Sequence, residues 1–419
     1  MASRAISLTA PSGKLRDRPL ARLRTQPDDL LPAMARFAGY AFRRGSDELA
    51  NRMRAGSDHQ FLHYSVHDPR GNAGDTVLYR AVREVFDHQL GPRNWVRRQL
   101  RKETTADDVE RYNKLASALV IGGGGLMMSE TSKPTASGWQ WNVTRENVER
   151  LTMPIIVYAI GYNQFRGSRS FAGEFDRHIE TVVAKSAFFG VRNRGSQQRL
   201  LEHLPAELRE KVVFQPCPTT VLRRFHAGMQ PDHRAPFRKE LALNLAFDRA
   251  DKRYGGQAEQ RLGKVANAMR WAVQQGWKIK LAVHGFDDDP AVAFMRSTDV
   301  PVEVVRLNLL DWREIVGFYA NMPLTIGMRG HAQMIPFGVG NAIISLISHD
   351  KLGFFLEDIG HPEWGIEMDD VALDDRLIAA IKAHDDDPEV AHANVDIAQQ
   401  GLWDTTVRNL DEIRVKTSI

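Results

Sequence analysis

Ala118-Leu-Val-Ile-Gly-Gly-Gly-Gly125 decides how this chain is read. An apolar run of strand length ends on four residues that lack a Cβ. Buried strands that stop at glycine or proline and hand over to helices are the units of a parallel α/β sheet. The same grammar recurs on both sides. Phe61–Val66 reads as a strand, breaks at Asp68-Pro-Arg-Gly-Asn-Ala-Gly-Asp75, and resumes as a helix over Thr76–Leu90. Pro154–Ile160 ends at Gly161. Ala187–Val191 ends at Arg192 and precedes a helix around Ser196–His203, and Lys211–Phe214 ends at Pro216-Cys-Pro218. Residues 226–238 lose apolar periodicity, carry two prolines and read as a linker. A second set follows: strands at Leu241–Leu245, Lys278–Val283, Val302–Val305, Leu324–Ile326 and Ala342–Leu346, with helices at Gln257–Gly276 and Trp312–Asn321. A last helix runs from Asp396 through Val415.

The expected fold is therefore α/β, two Rossmann-like domains facing a cleft, with an N-terminal basic extension. The divisions fall at 1–55 (extension), 56–228 (N-terminal domain), 229–395 (C-terminal domain) and 396–419 (closing helix). Ligands of open α/β sheets bind beyond the carboxyl ends of the strands, which places a site in the cleft.

Composition bounds the rest. The 419 residues are 43% apolar and 26% charged, so two hydrophobic cores are affordable in size and a disordered chain is excluded. No apolar run approaches the ~20 residues that span a bilayer. The net charge of +4 is unevenly placed: residues 1–55 hold eleven Lys/Arg against five Asp/Glu, and the remainder is slightly acidic. That leader reads as a disordered arm, a targeting segment, or a patch that touches phosphates or an anionic lipid surface, and it lacks the apolar segment of a secretory signal. It also lacks interleaved aromatics, which argues against nucleic acid. A single cysteine, Cys217, excludes an internal disulfide and fits a reducing compartment. The expected location is cytoplasmic, with peripheral membrane contact through the leader.

Several loops at strand ends carry chemistry. Gly122, Gly123, Gly124 and Gly125 either open backbone N–H groups to an anion or form a tight packed turn. Their spacing is neither a dinucleotide fingerprint nor a P-loop. Asn72-Ala-Gly-Asp75 joins a strand to a helix, with Asp75 as the expected N-cap. Ile326-Gly-Met-Arg-Gly-His-Ala332 sets Arg329 and His331 two residues apart, and Lys351 follows twenty later. A guanidinium fork, a point cation and a titrating imidazole together suit an anionic substrate. Arg192 and Arg194 add charge from the other domain.

In order and spacing these pieces resemble the polysaccharide pyruvyl transferases over roughly residues 65–360. The family's N-x-G-D loop appears as Asn72–Asp75, its glycine run as Gly122–Gly125, and its R-x-x-x-S helix start as Arg192–Ser196. Its R-x-H-A appears as Arg329-Gly-His-Ala332, followed by Lys351. Two departures stand out: a frequent D-P-A is here Cys217-Pro-Thr, and a glycine-rich stretch is reduced to Gly161-Tyr-Asn-Gln. The resemblance implies a GT-B-like domain pair that moves pyruvate from phosphoenolpyruvate to a sugar as a cyclic ketal and releases phosphate. His331 would be the general acid, with Arg329, Lys351 and Arg192 binding the donor. Asp75 and Glu130 are candidates for the base. No cofactor and no metal are expected. The implied partners are phosphoenolpyruvate and a sugar or oligosaccharide acceptor, lipid-linked or free. Two other classes stay open: a nucleotide-sugar glycosyltransferase of the same architecture, and a non-catalytic glycan-binding member.

Other signals are assigned to structure. His59, His63 and His67 recur every four residues, but along a strand the outer pair lie roughly 26 Å apart, too far for one ion. The two Asp-Asp-Asp-Pro tetrads, 287–290 and 385–388, read as helix starts. Trp139, Trp141 and Tyr162 lie in or beside loops and are the candidates for stacking on an acceptor sugar; Trp364 has similar status.

Overall fold

Two six-stranded parallel sheets form the frame of this computed structural model, which describes residues 51, 59–66, 71–130, 134–165, 167–226 and 238–419. The basic leader, apart from Asn51, and most of the linker lie outside the described residues. The first sheet contains β1 (Gln60–Ser65), β2 (Asn94–Gln99), β3 (Ala116–Met127), β4 (Ile155–Tyr162), β5 (Phe188–Val191) and β6 (Val212–Phe214), in the order β2-β1-β3-β4-β5-β6. The second contains β7 (Glu240–Asn244), β8 (Lys278–Val283), β9 (Val302–Arg306), β10 (Leu324–Gly327), β11 (Ala342–Ile347) and β12 (Gly365–Glu367), in the order β12-β11-β10-β7-β8-β9. All eight residues of β4 are buried, as a parallel strand covered on both faces requires. Strand order reverses between β1 and β3 and between β7 and β10, and a binding crevice belongs at each switch point.

The helices that position the site are α1 (Ala73–Leu90), α2 (Gly173–Lys185), α3 (Arg194–Leu201), α4 (Asp289–Ser297), α5 (His331–Val339), α6 (Asp350–Asp358) and α7 (Pro388–Thr417). α1 starts earlier than expected, and its cap is Asn72, whose Oδ1 accepts from Gly74 N–H at 2.7 Å. Asp75 stands in the first turn instead, where the helix dipole favours an acid. Both acid–proline tetrads do start helices, with Pro290 in the first turn of α4 and Asp387 capping α7.

The glycine run is not a turn. β3 continues through it to Met127, pairing Gly122 with Tyr158 and Gly124 with Ile160 before its register shifts. Gly123 (φ 72°) and Gly124 (φ 97°) supply the left-handed backbone of this irregularity. A Cβ on Gly123 would lie 2.7 Å from Leu78, and one on Gly122 would lie 2.5 Å from His63. The run lets α1 approach the sheet, so the anion-cradle expectation for Gly122–Gly125 gives way to close packing. His63 is likewise buried, stacked on Tyr79 and accepting from Arg83 Nε at 3.2 Å.

α7 begins eight residues before the expected boundary and returns to the N-terminal domain. Its Leu402, Leu410 and Ile413 share one core with Phe61, Val82 and Phe86 of that domain and with Met334, Phe337 and Phe355 of the other. Gln399 Nε2 donates to Thr220 O (3.0 Å), Phe337 O (2.9 Å) and Gly338 O (3.0 Å), joining both domains through one buried amide. Lys239 and Asp385, at the outgoing and returning crossings, form an ion pair at 2.7 Å.

Candidate active site

The switch point of the second sheet holds a carboxylate lock. Asp288 is buried and accepts from the backbone N–H groups of Phe247, His284 and Gly285, each at 3.2 Å. It also accepts a fork from Arg329, Nη2 at 2.6 Å and Nε at 3.1 Å, while Arg329 Nη1 meets Asp248 at 2.8 Å. Arg253 binds the same Asp248 at 3.0 Å, and these two guanidiniums hold that carboxyl well below its usual range despite its burial. Three nitrogens of Arg329 thus already face carboxylates. The expected donor clamp is corrected to an anchor for the β10–α5 turn. Asp248, three residues beyond an expected strand, was missed.

His331 opens α5 and is pointed across the seam at the N-terminal domain. Gly74 lies bare under its ring: a Cβ there would sit 2.6 Å from Nδ1. Burial, with Arg192 and then Lys351 adding like charge, pulls the imidazole down to about 3. It is neutral at physiological pH. Lys351, in the first turn of α6, donates to Asn163 Oδ1 at 3.0 Å, and the same oxygen meets His349 Nε2 at 3.1 Å. Burial, then the charges of Arg192 and Arg253, push the Lys351 ammonium well below its ordinary value. Asn163 follows β4 and was not foreseen. Nor was Phe165, whose ring lies 4.7 Å from Arg249 Cζ, 5.2 Å from Arg253 Cζ and 5.6 Å from Lys351 Nζ.

Arg192 follows β5. Its side chain is 7% exposed, its Nε is buried without an acceptor, and no carboxylate pairs with it among the described residues. Gly161 makes room for it, since a Cβ there would lie 2.8 Å from Cζ. His284 Nδ1, under Arg329 and His331, is a second buried nitrogen without a partner. Arg194 takes a separate path: Asp358 accepts from its backbone N–H at 3.2 Å, joining α3 to the end of α6. Burial lifts the Asp358 carboxyl to about 7.

The structure separates other candidates from this cluster. Trp139 and Trp141 are fully buried in the N-terminal core, and Trp139 Nε1 donates to His178 at 2.9 Å. Neither ring offers a face to a sugar. Trp139→Ala is expected to cost about 3–5 kcal/mol of stability, read from denaturant unfolding, without a selective rise in acceptor KM. Tyr162 is also buried: its hydroxyl meets His203 Nε2 at 3.1 Å, and Asp176 holds the other nitrogen at 2.7 Å. Trp364 is stacked on His361, 4.0 Å between centroids. Glu130 is engaged by Lys252 at 2.8 Å and by Arg169 N–H at 3.3 Å, which lowers its carboxyl and removes it as a base candidate. Asp75 keeps that candidacy. Its carboxylate has no hydrogen-bond partner among the described residues, and burial raises it against Arg101, Arg329, Lys351 and Arg192. Among the described residues no group of three or more His, Cys, Asp or Glu could hold a metal ion, and no helix is long and apolar enough to cross a membrane.

The seam between the two sheets of this α/β protein thus gathers Arg192, His331 and Lys351. The polysaccharide pyruvyl transferase family model matches residues 56–340. The chain belongs to that family. Among curated proteins none matches the sequence. Similar solved structures include Staphylococcus aureus MnaA with UDP (10% identity, 82% of this chain and 94% of that one, TM-score 0.48). Others are a glycosyltransferase from Rickettsia africae (9%, 86% and 98%, 0.48) and UDP-GlcNAc 2-epimerase from Neisseria meningitidis bound to UDP-GlcNAc (10%, 83% and 100%, 0.46).

Proposed function

We propose that this enzyme transfers pyruvate from phosphoenolpyruvate to a sugar of a polysaccharide or its precursor, closing a cyclic ketal and releasing phosphate. The observation that carries the reading is Arg192: a buried guanidinium in no ion pair among the described residues, with Asp75 acting on it only from a distance, set beside Lys351 and His331. Burying an uncompensated charge is costly, so such a group implies an anion that completes it. Phosphate and carboxylate of the donor would take Arg192 and Lys351. His331 would deliver a proton to the methylene carbon, leaving C2 open to a sugar hydroxyl. Asp75 would accept a hydroxyl proton, and its raised affinity for protons suits that role. The departing phosphate is stabilised by the same two cations.

Incubation with phosphoenolpyruvate and a panel of galactosyl, glucosyl and N-acetylmannosaminyl acceptors tests this. Phosphate release with a mass gain of one ketal supports it; turnover only with a nucleotide sugar overturns it. Binding should also take up protons. A trianion beside Lys351 raises that ammonium from its depressed value while His331 stays neutral, so the complex holds more protons than the free protein. The Kd for phosphoenolpyruvate should therefore rise as pH climbs from the Lys351 pKa of the free protein towards that of the complex. Calorimetry in buffers of different ionisation enthalpy counts the protons, and zero uptake would contradict this electrostatic account.

A further inference from the structure

His331 touches one polar group among the described residues. Nε2 lies 3.9 Å from Cys217 Sγ, and Thr219 Oγ1 holds the same sulfur at 3.1 Å. Nδ1 has no partner among the described residues. A histidine that moves protons is ordinarily fixed through its second nitrogen by a carboxylate or carbonyl, which sets the tautomer. Here the orienting position carries a neutral thiol.

The spacing is set by backbone. Cys217 caps the 3-10 turn Pro218–Thr220 directly after β6 and is 1% exposed. Gly338, on the helix that His331 opens, packs on Thr219 O with no room for a Cβ, and Gln399 ties Thr220 O to Phe337 O and Gly338 O. Arg192 faces both sulfur and imidazole, and its acceptor-less Nε marks where an anion belongs. The other charged or titratable neighbours of the ring are Lys351 from α6 and His284 from the end of β8. None of these is a carboxylate. Burial raises the thiol, so the sulfur holds its proton at neutral pH.

We propose that Cys217 is the positioning residue of His331: its thiol donates to Nε2 and leaves the imidazole proton on Nδ1 for the donor's methylene carbon. The proposal rests on the pyruvyl-transfer reading. As the C2=C3 pair takes the Nδ1 proton and forms a C3–H bond, the S–H proton moves to Nε2. The imidazole stays neutral and a thiolate is left beside Arg192. One sugar hydroxyl proton returns to sulfur by the reverse path, and the second leaves with phosphate through Asp75.

Three variants of the full chain test it, with His331 followed by nitrogen-15 NMR and assigned by difference from His331→Gln. Cys217→Ser keeps a donor, so the His331 tautomer should hold as in wild type while kcat falls, because a hydroxyl gives up its proton far less readily than a thiol. Cys217→Ala should lower kcat about 10–100-fold with little change in KM for phosphoenolpyruvate, and the His331 tautomers should mix. Cys217→Asp should raise the His331 pKa by about 1–3 pH units and move the acid limb of kcat with it. Wild-type kcat and an unchanged tautomer in Cys217→Ala would overturn the proposal, even if the aspartate variant fails to fold. If wild type releases no phosphate from phosphoenolpyruvate, the pyruvyl reading fails instead, and the NMR comparison still reads the sulfur–imidazole coupling.

Discussion

Arg192→Met is expected to melt at a higher temperature than wild type and to be almost inactive. Methionine fills the space of the arginine stem and removes a desolvated charge that no carboxylate contacts among the described residues, Asp75 acting on it only from a distance. Relief of that penalty should add about 1–3 kcal/mol to the unfolding free energy. Turnover should fall about 10²–10³-fold, the size of effect seen when one donor to a developing anion is lost. The two changes have opposite signs, which separates a functional arginine from a structural one. Phosphoenolpyruvate should raise the melting temperature of wild type by mass action and leave the variant unmoved. A variant that is less stable yet keeps its kcat/KM would place Arg192 in the framework.

Gly338→Ala should damage both stability and chemistry. The added methyl would overlap the carbonyl oxygen of Thr219, a backbone atom that cannot swing aside. α5 must then move off the turn that carries Cys217, at an overpacking cost of about 1–3 kcal/mol. His331 shifts with its helix, and a displacement near 1 Å in a reacting group can cost about 10²-fold in rate. Gly317→Ala is the matched control, because a Cβ at that helical glycine meets nothing within 4 Å. It should be neutral or stabilising by up to about 1 kcal/mol. Equal losses in the two variants would show that helix disturbance, and not the seam, limits the rate.

The frame was legible because buried parallel strands are written as short apolar runs, and β8 matches its expected bounds. β2 escaped: Asn-Trp-Val-Arg-Arg-Gln is polar because only one of its edges is paired in the sheet. The site was legible only as a set of residue types. Arg192, His331 and Lys351 do converge, but no spacing rule tells an arginine with two carboxylates from one with none. Asp248 and Asp288 lie 81 and 41 positions from Arg329 and needed the fold to meet it. Asn163 was within reach of reasoning, since it stands at the carboxyl end of β4 like its functional neighbours. Tryptophans in a polar stretch carry no sign of burial until α2 closes over them, and Phe175 of that helix shares their core.

The return of α7 has a mechanical consequence. The chain leaves the N-terminal domain after Phe225 and comes back to it along α7, and Lys239 with Asp385 fastens the two crossings side by side. Such a join ties the two halves together along one side. Gln399, further along α7, pins the turn of Cys217 to the helix of His331. The contacts of Lys252 and Arg249 with Glu130 lie at a different edge of the seam. Any relative motion of the two halves must therefore carry the sulfur and the imidazole together, because one buried amide holds both of their supports.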